Sequence, residues 1–415
     1  MKTSKFLFAA LVAALGLSHA ASAQTNIYLS GAPATRAIWN TAIYDELGTL
    51  TGGTNSLVQY WTGSSGFAKA NQIVITGGTI GSQPVTIYGS WTGSTGGNQS
   101  VANTPPETIA AFKVGYITIG SGTAPGALSS TNTNNLQYPQ VNLSDTQQIT
   151  TPFNGTTSVT SPSTSYVTLN EATTASPAIT GYEFVTNKGA PASLNNITTN
   201  LAQELFTNAG TPLALFTGSS GDQNTIIYPV GRDISSGARY ATLAETGIGT
   251  LASDQLVQFE PAVTSGTITD IVDNPAPGGT INLITFPLGA GGYPSFSAVS
   301  TVLSATSTAT TGFVVSYVTD SDAATAIAAG AHALSWNGVP YSVAGIQQGQ
   351  YTYWTYLHVY YNNFGNFIQT NHPLAKTFAD DLAADLKTDA ATNAILSSTL
   401  KVTRTNDGGL ITPNY

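Results

Sequence analysis

Hydrophobic positions recur at helical spacing in several stretches of this chain. Residues 34–47 place apolar side chains on one helical face, and Pro33 suits the first helical turn. Similar patterns predict helices over 196–207 and 236–245, the second ending before Gly247. Near the C-terminus, one amphipathic helix is predicted behind Asn371 and Pro373, with apolar residues every four positions, at Leu374, Phe378, Leu382 and Leu386.

Short runs rich in β-branched residues predict strands between these helices. The runs cover 26–30, 72–76, 84–88, 114–119, 182–186, 225–230 and 313–318. Because strands alternate with helices, the pattern favours α/β layers. A tract over 101–140 is rich in Thr, Asn, Ser, Gly and Pro, and it predicts a surface insertion around one of these strands.

Charge is scarce in the composition. Only 8% of the 415 residues are charged, against roughly 25% in an ordinary soluble protein, yet 41% are hydrophobic, so a packed core is expected rather than disorder. A net charge of −9 with 12 basic residues argues against nucleic-acid binding and against a polybasic membrane patch. The absence of cysteine excludes a disulfide framework and a zinc–thiolate site.

The first 23 residues have the order of a secretory signal peptide. Lys2 and Lys5 precede an apolar run over 6–17, which is followed by the small residues Ala21-Ser22-Ala23. We therefore expect cleavage after Ala23, export to the periplasm or the extracellular medium, and a net charge of −11 after both lysines are lost. The apolar run is too short to span a bilayer, and no later run reaches the length required, so no membrane insertion is expected.

Familiar catalytic patterns are missing from the sequence. There is no G-x-S-x-G elbow, Walker loop, G-x-G-x-x-G or H-E-x-x-H motif. The three histidines beyond the leader, His332, His358 and His372, are widely spaced and are interpreted as partnered or surface residues. The sequence thus predicts a protein without catalytic residues, metal or cofactor.

Clusters of glycine and hydroxyl residues stand where three helices should begin. They are residues 31–35, 93–97 and 235–238. A helix N-terminus exposes unpaired N–H groups and the positive end of the helix dipole, so several helix N-termini that converge on one point could bind an oxyanion. An ordinary helix cap or turn is the alternative explanation for any single cluster. Arg232 follows a strand and precedes Ser236 by four residues, a spacing that lets its guanidinium reach the same anion.

These segments resemble the phosphate-binding proteins of bacterial ABC importers, which belong to the two-lobed periplasmic binding protein superfamily. Residues 31–35 (GAPAT) look like the family's N-terminal turn, and residues 88–97 (YGSWTGSTGG) look like its serine loop. Residues 141–145 (VNLSD) resemble its strand ending in S-D, and residues 232–238 (RDISSGA) its R-x-x-x-S-G-T motif. Residues 336–340 and 349–351 are similar to the family's closing segment.

The resemblance implies a set of phosphate contacts, namely Ala34, Thr35, Ser94, Asp145, Arg232, Ser236, Gly237 and Ala238. In this reading Asp145 accepts a hydrogen bond from protonated phosphate. Ala238 replaces the family's threonine, so only its amide can contribute. Residues 120–125 compete for the aspartate segment, and that alignment would put Thr123 in place of Asp145.

The resemblance also implies a type II two-lobed α/β fold, in which mixed-sheet lobes are joined by two crossover strands and carry Ser/Thr/Asn/Gly-rich insertions. Lobe one would comprise residues 24–180 and 320–415, and lobe two residues 181–319. The implied function is capture of inorganic phosphate in the cleft by a monomer, for uptake through an ABC importer permease.

Two alternatives remain open from the sequence. The protein could bind another ligand and have no transport role. It could also be a surface structural or adhesive protein on the same scaffold, as its Ser/Thr/Asn/Gly-rich, charge-poor composition suggests.

Overall fold

A computed structural model describes residues 24–129, 134–154, 165–172, 176–208, 210–250, 256–271, 292–388 and 394–414. The predicted signal peptide and residues 251–255 and 272–291 lie outside these ranges.

The described residues form strands and helices in mixed order along the chain. The strands are β1 Thr25–Gly31, β2 Val58–Thr62, β3 Gln72–Ile80, β4 Gln83–Ser90, β5 Asn103–Thr104, β6 Val114–Tyr116, β7 Gly126–Leu128, β8 Asn135–Gln137, β9 Val141–Ser144, β10 Ser165–Tyr166, β11 Asn170–Glu171, β12 Ala178–Thr186, β13 Asn196–Ile197, β14 Thr211–Pro212, β15 Ile226–Val230, β16 Ala262–Thr264, β17 Thr267–Asp270, β18 Phe313–Thr319, β19 His332–Trp336, β20 Trp354–Tyr356, β21 His358–Tyr361, β22 Ile395–Leu396, β23 Val402–Thr403 and β24 Thr412–Pro413. The α-helices are α1 Arg36–Thr51, α2 Ser94–Ala102, α3 Thr199–Thr207, α4 Ala214–Thr217, α5 Gly237–Glu245, α6 Phe296–Leu303, α7 Asp320–Ala328, α8 Val343–Gln347, α9 Phe367–Asn371 and α10 Pro373–Asp385.

The first lobe is built on a mixed sheet of order β11-β21-β9-β1-β4-β3-β2-β7. Strand β1 runs parallel to β4 and β9, whereas β21 runs antiparallel to β9. Helices α1 and α10 pack on this sheet through Trp39 and Phe378, which are fully buried in one core with Leu29 of β1. The predicted spacing of apolar residues in both helices therefore matches the faces that they bury.

The second lobe has its own mixed sheet and its own core. Its strand order is β13-β19-β12-β18-β15-β14, with β15 parallel and β12 antiparallel to β18. Phe184 and Tyr317 from the sheet pack with Leu205 of α3 and Leu243 of α5 in this core. Two separate hydrophobic cores thus correspond to the two lobes.

Two strands carry the chain between the lobes. The first half of β12 pairs with β20 and β22, while its second half, from Tyr182, pairs with β18 and β19 in the second sheet. Strand β20 leads back into β21 of the first sheet. The predicted two-lobed α/β fold with two crossover strands is confirmed.

The strand pairing puts the return of the chain to the first lobe later than the predicted boundary at residue 320. Strand β19 lies beside β12 in the second sheet, so the chain returns to the first lobe at β20 and β21 instead. Local periodicity marks where a strand is but not which sheet it joins, and this explains the displacement.

Three local predictions also need correction. Helix α1 begins at Arg36 rather than near Pro33, because Thr35 is its N-cap. Helix α3 begins at Thr199, where the Thr198 hydroxyl accepts from the Leu201 amide. The tract over 101–140 is not confined to the surface, since the fully buried Tyr116 ring lies 4.9 Å from the ring of Tyr28 in β1.

Candidate functional site

The site lies where parallel strands of both lobes end. Strands β1, β4 and β9 run parallel and finish at the same edge of the first sheet, as expected for ligand sites in α/β folds. The segment after β9 begins with Asp145, and helix α2, which follows β4, begins with Ser94. In the second lobe, Arg232 and helix α5 follow β15.

A buried hydrogen-bonded pair forms the floor of the site. The hydroxyl of Ser94 donates to Asp145 Oδ1 at 2.5 Å, and the Asp145 amide donates to the same hydroxyl oxygen at 3.0 Å. Both side chains are buried. Burial raises the pKa of the Asp145 carboxyl, while the bond from Ser94 and the charge of Arg232 act in the opposite direction.

The two lobes touch each other at this pair. The carbonyl oxygen of Ser235, from lobe two, accepts hydrogen bonds from the amides of Thr95 and Gly96 in α2, at 3.1 and 3.2 Å. Gly93 allows this approach, because its φ is +117° and a Cβ there would lie only 2.1 Å from the Ser235 oxygen. The structure is therefore closed over the site.

The N-terminus of α5 packs directly on the Ser94–Asp145 pair. A Cβ on Gly237 would lie 2.1 Å from Asp145 Oδ1 and 2.8 Å from the Ser94 Cβ, so glycine is required sterically. The neighbours of Gly237, Ser236 and Ala238, are buried as well. Three of the predicted contacts, one from each of three segments far apart in sequence, are thus brought together.

Several polar donors around this point lack partners. Ser236 is the N-cap of α5, but its side chain makes no capping bond. Among the described residues no acceptor is found for the Ser236 hydroxyl or for the amides of Gly237 and Ala238. At the start of α1, the Thr35 hydroxyl is also buried without a partner in the described part of the chain. Unpaired buried donors at the positive end of a helix suit a bound anion.

Arg232 is a buried cation beside this helix end. It is 1% exposed, and its guanidinium donates to the carbonyls of Tyr293 and Pro294, at 3.0 and 2.9 Å, above the ring of Phe296. No described residue forms an ion pair with it. Burial lowers the pKa of this guanidinium, and nearby carboxylates, including Asp145, counteract the effect. Its charge is therefore held in place by carbonyls and is not neutralised by direct contact.

The other two predicted contacts, Ala34 and Thr35, lie at the start of α1. No hydrogen bond between described residues joins Ala34 or Thr35 to Ser94 or Asp145. This segment is tied to the serine loop through the Gly93 amide, which donates to the Gly31 carbonyl at 2.9 Å. Ala34 is half-buried and packs against the core of lobe two.

Thr123 lies in a turn, where its amide donates a hydrogen bond to the Gly120 carbonyl at 3.2 Å. Within the described ranges no hydrogen bond connects it to Ser94, Asp145 or the α5 N-terminus. Asp145, in contrast, lies against both Ser94 and Gly237.

Sequence reasoning missed the residues that hold Asp145 from behind. Its carbonyl oxygen accepts from the hydroxyls of Tyr182 and Thr355, at 3.4 and 2.6 Å. These hydroxyls belong to β12 and β20, the two crossover strands, so the hinge region contacts the site directly. No local motif marks either residue.

The three histidines beyond the leader belong to different parts of the described fold. Each of the three histidines has a polar partner: His332 lies 2.8 Å from the Leu194 carbonyl, His358 pairs with Glu171, and His372 pairs with Glu107. In the described part of the chain no group of three or more His, Cys, Asp or Glu residues is arranged to hold a metal ion. None of the helices described there is both long and apolar enough to cross a membrane.

Comparison with known proteins finds similarity among solved structures. No protein-family model and no curated protein matches the sequence. A Clostridium perfringens protein assigned to the phosphate ABC transporter substrate-binding proteins, solved with bound phosphate, is 11% identical with a TM-score of 0.43, over 90% of this chain and 99% of that one. An ABC-type phosphate transport receptor from Vibrio cholerae is 13% identical with a TM-score of 0.43, and the match covers 89% of this chain and 96% of that one. PstS from Borrelia burgdorferi is 14% identical with a TM-score of 0.35, and the match covers 86% of this chain and 92% of that one.

Proposed function

We propose that this protein is an exported solute-binding protein that captures inorganic phosphate between its lobes and performs no chemistry on it. One observation carries the proposal: the unpaired donors of Ser236, Gly237 and Ala238 lie at a helix N-terminus packed on the buried Ser94–Asp145 pair. Arg232 supplies a buried positive charge beside them.

The combination of donors with one carboxylate selects for a protonated oxyanion. Backbone amides and a guanidinium only donate hydrogen bonds and a hydroxyl can donate one, so all three can bind acceptor oxygens, whereas an ionised Asp145 can only accept. Hydrogen phosphate has both acceptor oxygens and a hydroxyl, so it satisfies the two kinds of group together. Sulfate has no hydroxyl near neutral pH and meets the carboxylate with like charge.

Binding would depend on local rather than overall electrostatics. The chain is acidic, with a net charge of −9, so its general field repels anions. Each hydrogen bond to the charged ligand contributes about 1.5–3 kcal/mol in a buried site. Several such bonds, with the dipole of α5, are enough to offset the unfavourable field.

Delivery of phosphate to an ABC importer permease belongs to the same proposal. It is supported by the leader over residues 1–23 and by the motif resemblance at residues 31–35, 88–97, 141–145 and 232–238. In this role the protein is a periplasmic or extracellular monomer, and lobe closure about β12 and β20 retains the ligand.

Thermal denaturation with and without phosphate tests the proposal. A ligand that binds only the native state raises the melting temperature by mass action, so phosphate should raise it and sulfate should raise it less. Arg232→Ala should abolish the rise. Lys188→Ala, which removes an exposed lysine of the same lobe, should keep it. No response of the wild type to millimolar phosphate, or an unchanged response in Arg232→Ala, would refute the proposal.

A further inference from the structure

Arg232 is a buried cation that has carboxylates nearby but pairs with none of them. Burial lowers the pKa of its guanidinium, and the charges of Asp233, Asp145 and Asp322 counteract this effect. No described residue nevertheless forms an ion pair with it. Buried charges are paired in most proteins, so the fold must hold this guanidinium away from the three carboxylates.

Neutral groups surround the guanidinium instead. Its Nε donates to the Tyr293 carbonyl at 3.0 Å, and its Nη2 donates to the Pro294 carbonyl at 2.9 Å. The centre of the Phe296 ring lies 4.6 Å from the guanidinium carbon. An aromatic face attracts a guanidinium, and it does so more strongly where water is excluded. For Nη1 no acceptor is found among the described residues, so this nitrogen remains for a ligand.

The Phe296 ring is itself fixed from two directions. It belongs to the first residue of α6 and is 2% exposed, and the N-cap Ser295 accepts a hydrogen bond from the Ala298 amide at 3.2 Å. The ring packs edge-on against the Tyr317 ring of β18, at 6.5 Å. The hydroxyl of the same tyrosine accepts from the Arg232 amide at 3.0 Å. Tyr317 therefore anchors both the ring and the backbone of the residue that the ring covers.

Asp322 lies beside the face of α6 that carries the ring. The Ser300 hydroxyl donates to the Asp322 carbonyl at 3.2 Å. Phe296 and Ser300 are four residues apart, so they share one face of the helix. The Thr319 hydroxyl donates to Asp322 Oδ2 at 2.8 Å, and no donor to Oδ1 is found among the described residues. A shorter side chain at position 296 would therefore let the guanidinium turn towards Oδ1.

The other two carboxylates are directed elsewhere. Asp145 Oδ1 accepts from the Ser94 hydroxyl within the proposed phosphate site. Asp233 Oδ1 accepts from the Ser235 amide at 3.1 Å. Arg232 itself lies in a β-bridge, where successive side chains point to opposite sides, so the side chains of Arg232 and Asp233 leave the backbone in opposite directions. Asp322 is thus the remaining competitor for the guanidinium.

We propose that Phe296 is a positioning residue of the anion site, whose ring keeps the Arg232 guanidinium from pairing with Asp322 and so keeps its charge available for the ligand. This inference rests on the proposed function, because it concerns how Arg232 serves the same phosphate site. Without the ring, the guanidinium would divide its time between the position that serves the ligand and an ion pair with Asp322. Apparent affinity falls in proportion to the fraction of protein that is competent to bind.

Titration calorimetry with inorganic phosphate tests the role of the ring. Phe296→Leu keeps an apolar side chain and removes the aromatic face. Phosphate affinity should fall about tenfold, as expected if the guanidinium is displaced about nine-tenths of the time. Phe296→Met takes the place of the leucine variant should that protein not fold, because methionine fills irregular core space.

A double-mutant cycle with Asp322 separates positioning from packing. Asp322→Asn in the wild type gives the general effect of removing a nearby negative charge, and phosphate affinity should rise about twofold or less. In the Phe296→Leu background the same change should raise affinity about tenfold, because it removes the competing partner of Arg232. Loss of core packing gives no such difference, since a change of carboxylate on α7 does not refill the core.

Phe206→Leu is the matched control. Phe206 is fully buried in the same core as Phe296, and its ring lies 5.8 Å from the Tyr317 ring. Within the described ranges no cation–π contact joins it to Arg232. The substitution should lower the melting temperature, as the loss of a buried ring does, and leave phosphate affinity unchanged.

The outcomes separate this inference from the proposed function. A Phe296→Leu variant that binds phosphate like the wild type overturns the inference and leaves the proposed function intact. Equal gains from Asp322→Asn in both backgrounds also overturn it, as does an equal loss of affinity in Phe206→Leu, because packing would then explain the effect. If the wild type does not bind phosphate, the proposed function fails and the inference fails with it.

Discussion

The carboxylate of Asp407, near the end of the chain, accepts a hydrogen bond from the Thr146 hydroxyl at 2.7 Å. It also accepts from the Gln147 amide at 2.8 Å, so the C-terminal segment holds the loop that begins with Asp145. Three residues earlier, Arg404 forms an ion pair of 3.0 Å with Glu245, the last residue of α5. One short segment therefore contacts both sides of the proposed site.

Replacing Asp407 should weaken both folding and ligand binding. Asp407→Ala removes a buried acceptor from Thr146 and Gln147, and the free energy of unfolding should fall by about 1–3 kcal/mol. Phosphate affinity should fall too, because the loop carrying Asp145 loses its support. Calorimetric unfolding and phosphate titration measure the two effects. Asp270→Ala changes an exposed aspartate and should alter neither, and equal behaviour of both variants would contradict the prediction.

Removing one donor at the α5 N-terminus should have a smaller effect than removing Arg232. Ser236→Ala deletes a hydroxyl that has no partner among the described residues, so the fold should keep its melting temperature. Phosphate binding should weaken by about 1–3 kcal/mol, the cost of one hydrogen bond to a charged ligand. Titration calorimetry checks this, with the exposed Ser219→Ala as control. A Ser236→Ala variant that binds like the wild type would place the anion elsewhere.

Asp145→Asn should change selectivity between anions. The substitution keeps the shape, removes the charge and supplies an amide donor, so sulfate binding should rise relative to phosphate. Titration of both anions at fixed pH and salt measures the ratio. An unchanged ratio would mean that Asp145 lies outside the site and would return attention to Thr123.

The same residue predicts a pH dependence. Burial raises the Asp145 pKa above its usual value, so the carboxyl binds a proton at a higher pH than an exposed aspartate does. Sulfate affinity of the wild type should therefore increase as pH falls towards that raised pKa, because the repelling charge is lost. Asp145→Asn has no carboxyl to titrate there, and its sulfate affinity should vary less over the same range. Parallel profiles for the two proteins would exclude this explanation.

Glu46 predicts how stability changes with pH. It is buried on α1, and burial, followed by the charges of Asp385 and Asp381 on α10, raises its pKa from 4.5 to about 7. The folded state then holds a proton between these values that the unfolded state has released, so stability falls as pH rises from 4.5 to about 7 and stays lower above it. Glu46→Gln should raise the melting temperature near pH 8 and have little effect near pH 5.

Scanning calorimetry at both pH values tests this expectation. Glu204→Gln, at an exposed position of α3, serves as the control and should leave the pH dependence unchanged. A Glu46→Gln variant with the wild-type slope between pH 5 and 8 would show that Glu46 is not the group responsible.

The leader predicts processing after Ala23. The order of lysines, apolar residues and small residues over 1–23 is typical of a signal peptide, so the exported form should begin at Gln24. Intact-mass spectrometry of exported protein gives the answer directly. A secreted form that still carries Lys2 and Lys5 would rule out this cleavage.

Local sequence patterns predicted the α/β layers, and the motif resemblance predicted the two lobes and the candidate site residues. Apolar spacing located α1, α5 and α10 to within a few residues, because the same side chains that repeat along a helix are the ones buried beneath it. Glycine and hydroxyl motifs pointed to Ser94 and Ser236, because helix starts and strand ends have recognisable chemistry over a few neighbouring residues.

Contacts between distant segments could not be obtained in this way. Asp407 lies 261 residues from Thr146, its partner in the loop that begins with Asp145. Neither Thr355 nor Tyr182 carries a motif, although both donate to the Asp145 carbonyl. Local periodicity reports which face of an element is buried, but the partner across that face depends on how all the elements pack together. The return of the chain at β20 and the burial of Tyr116 arise from that packing, so they are visible only in three dimensions.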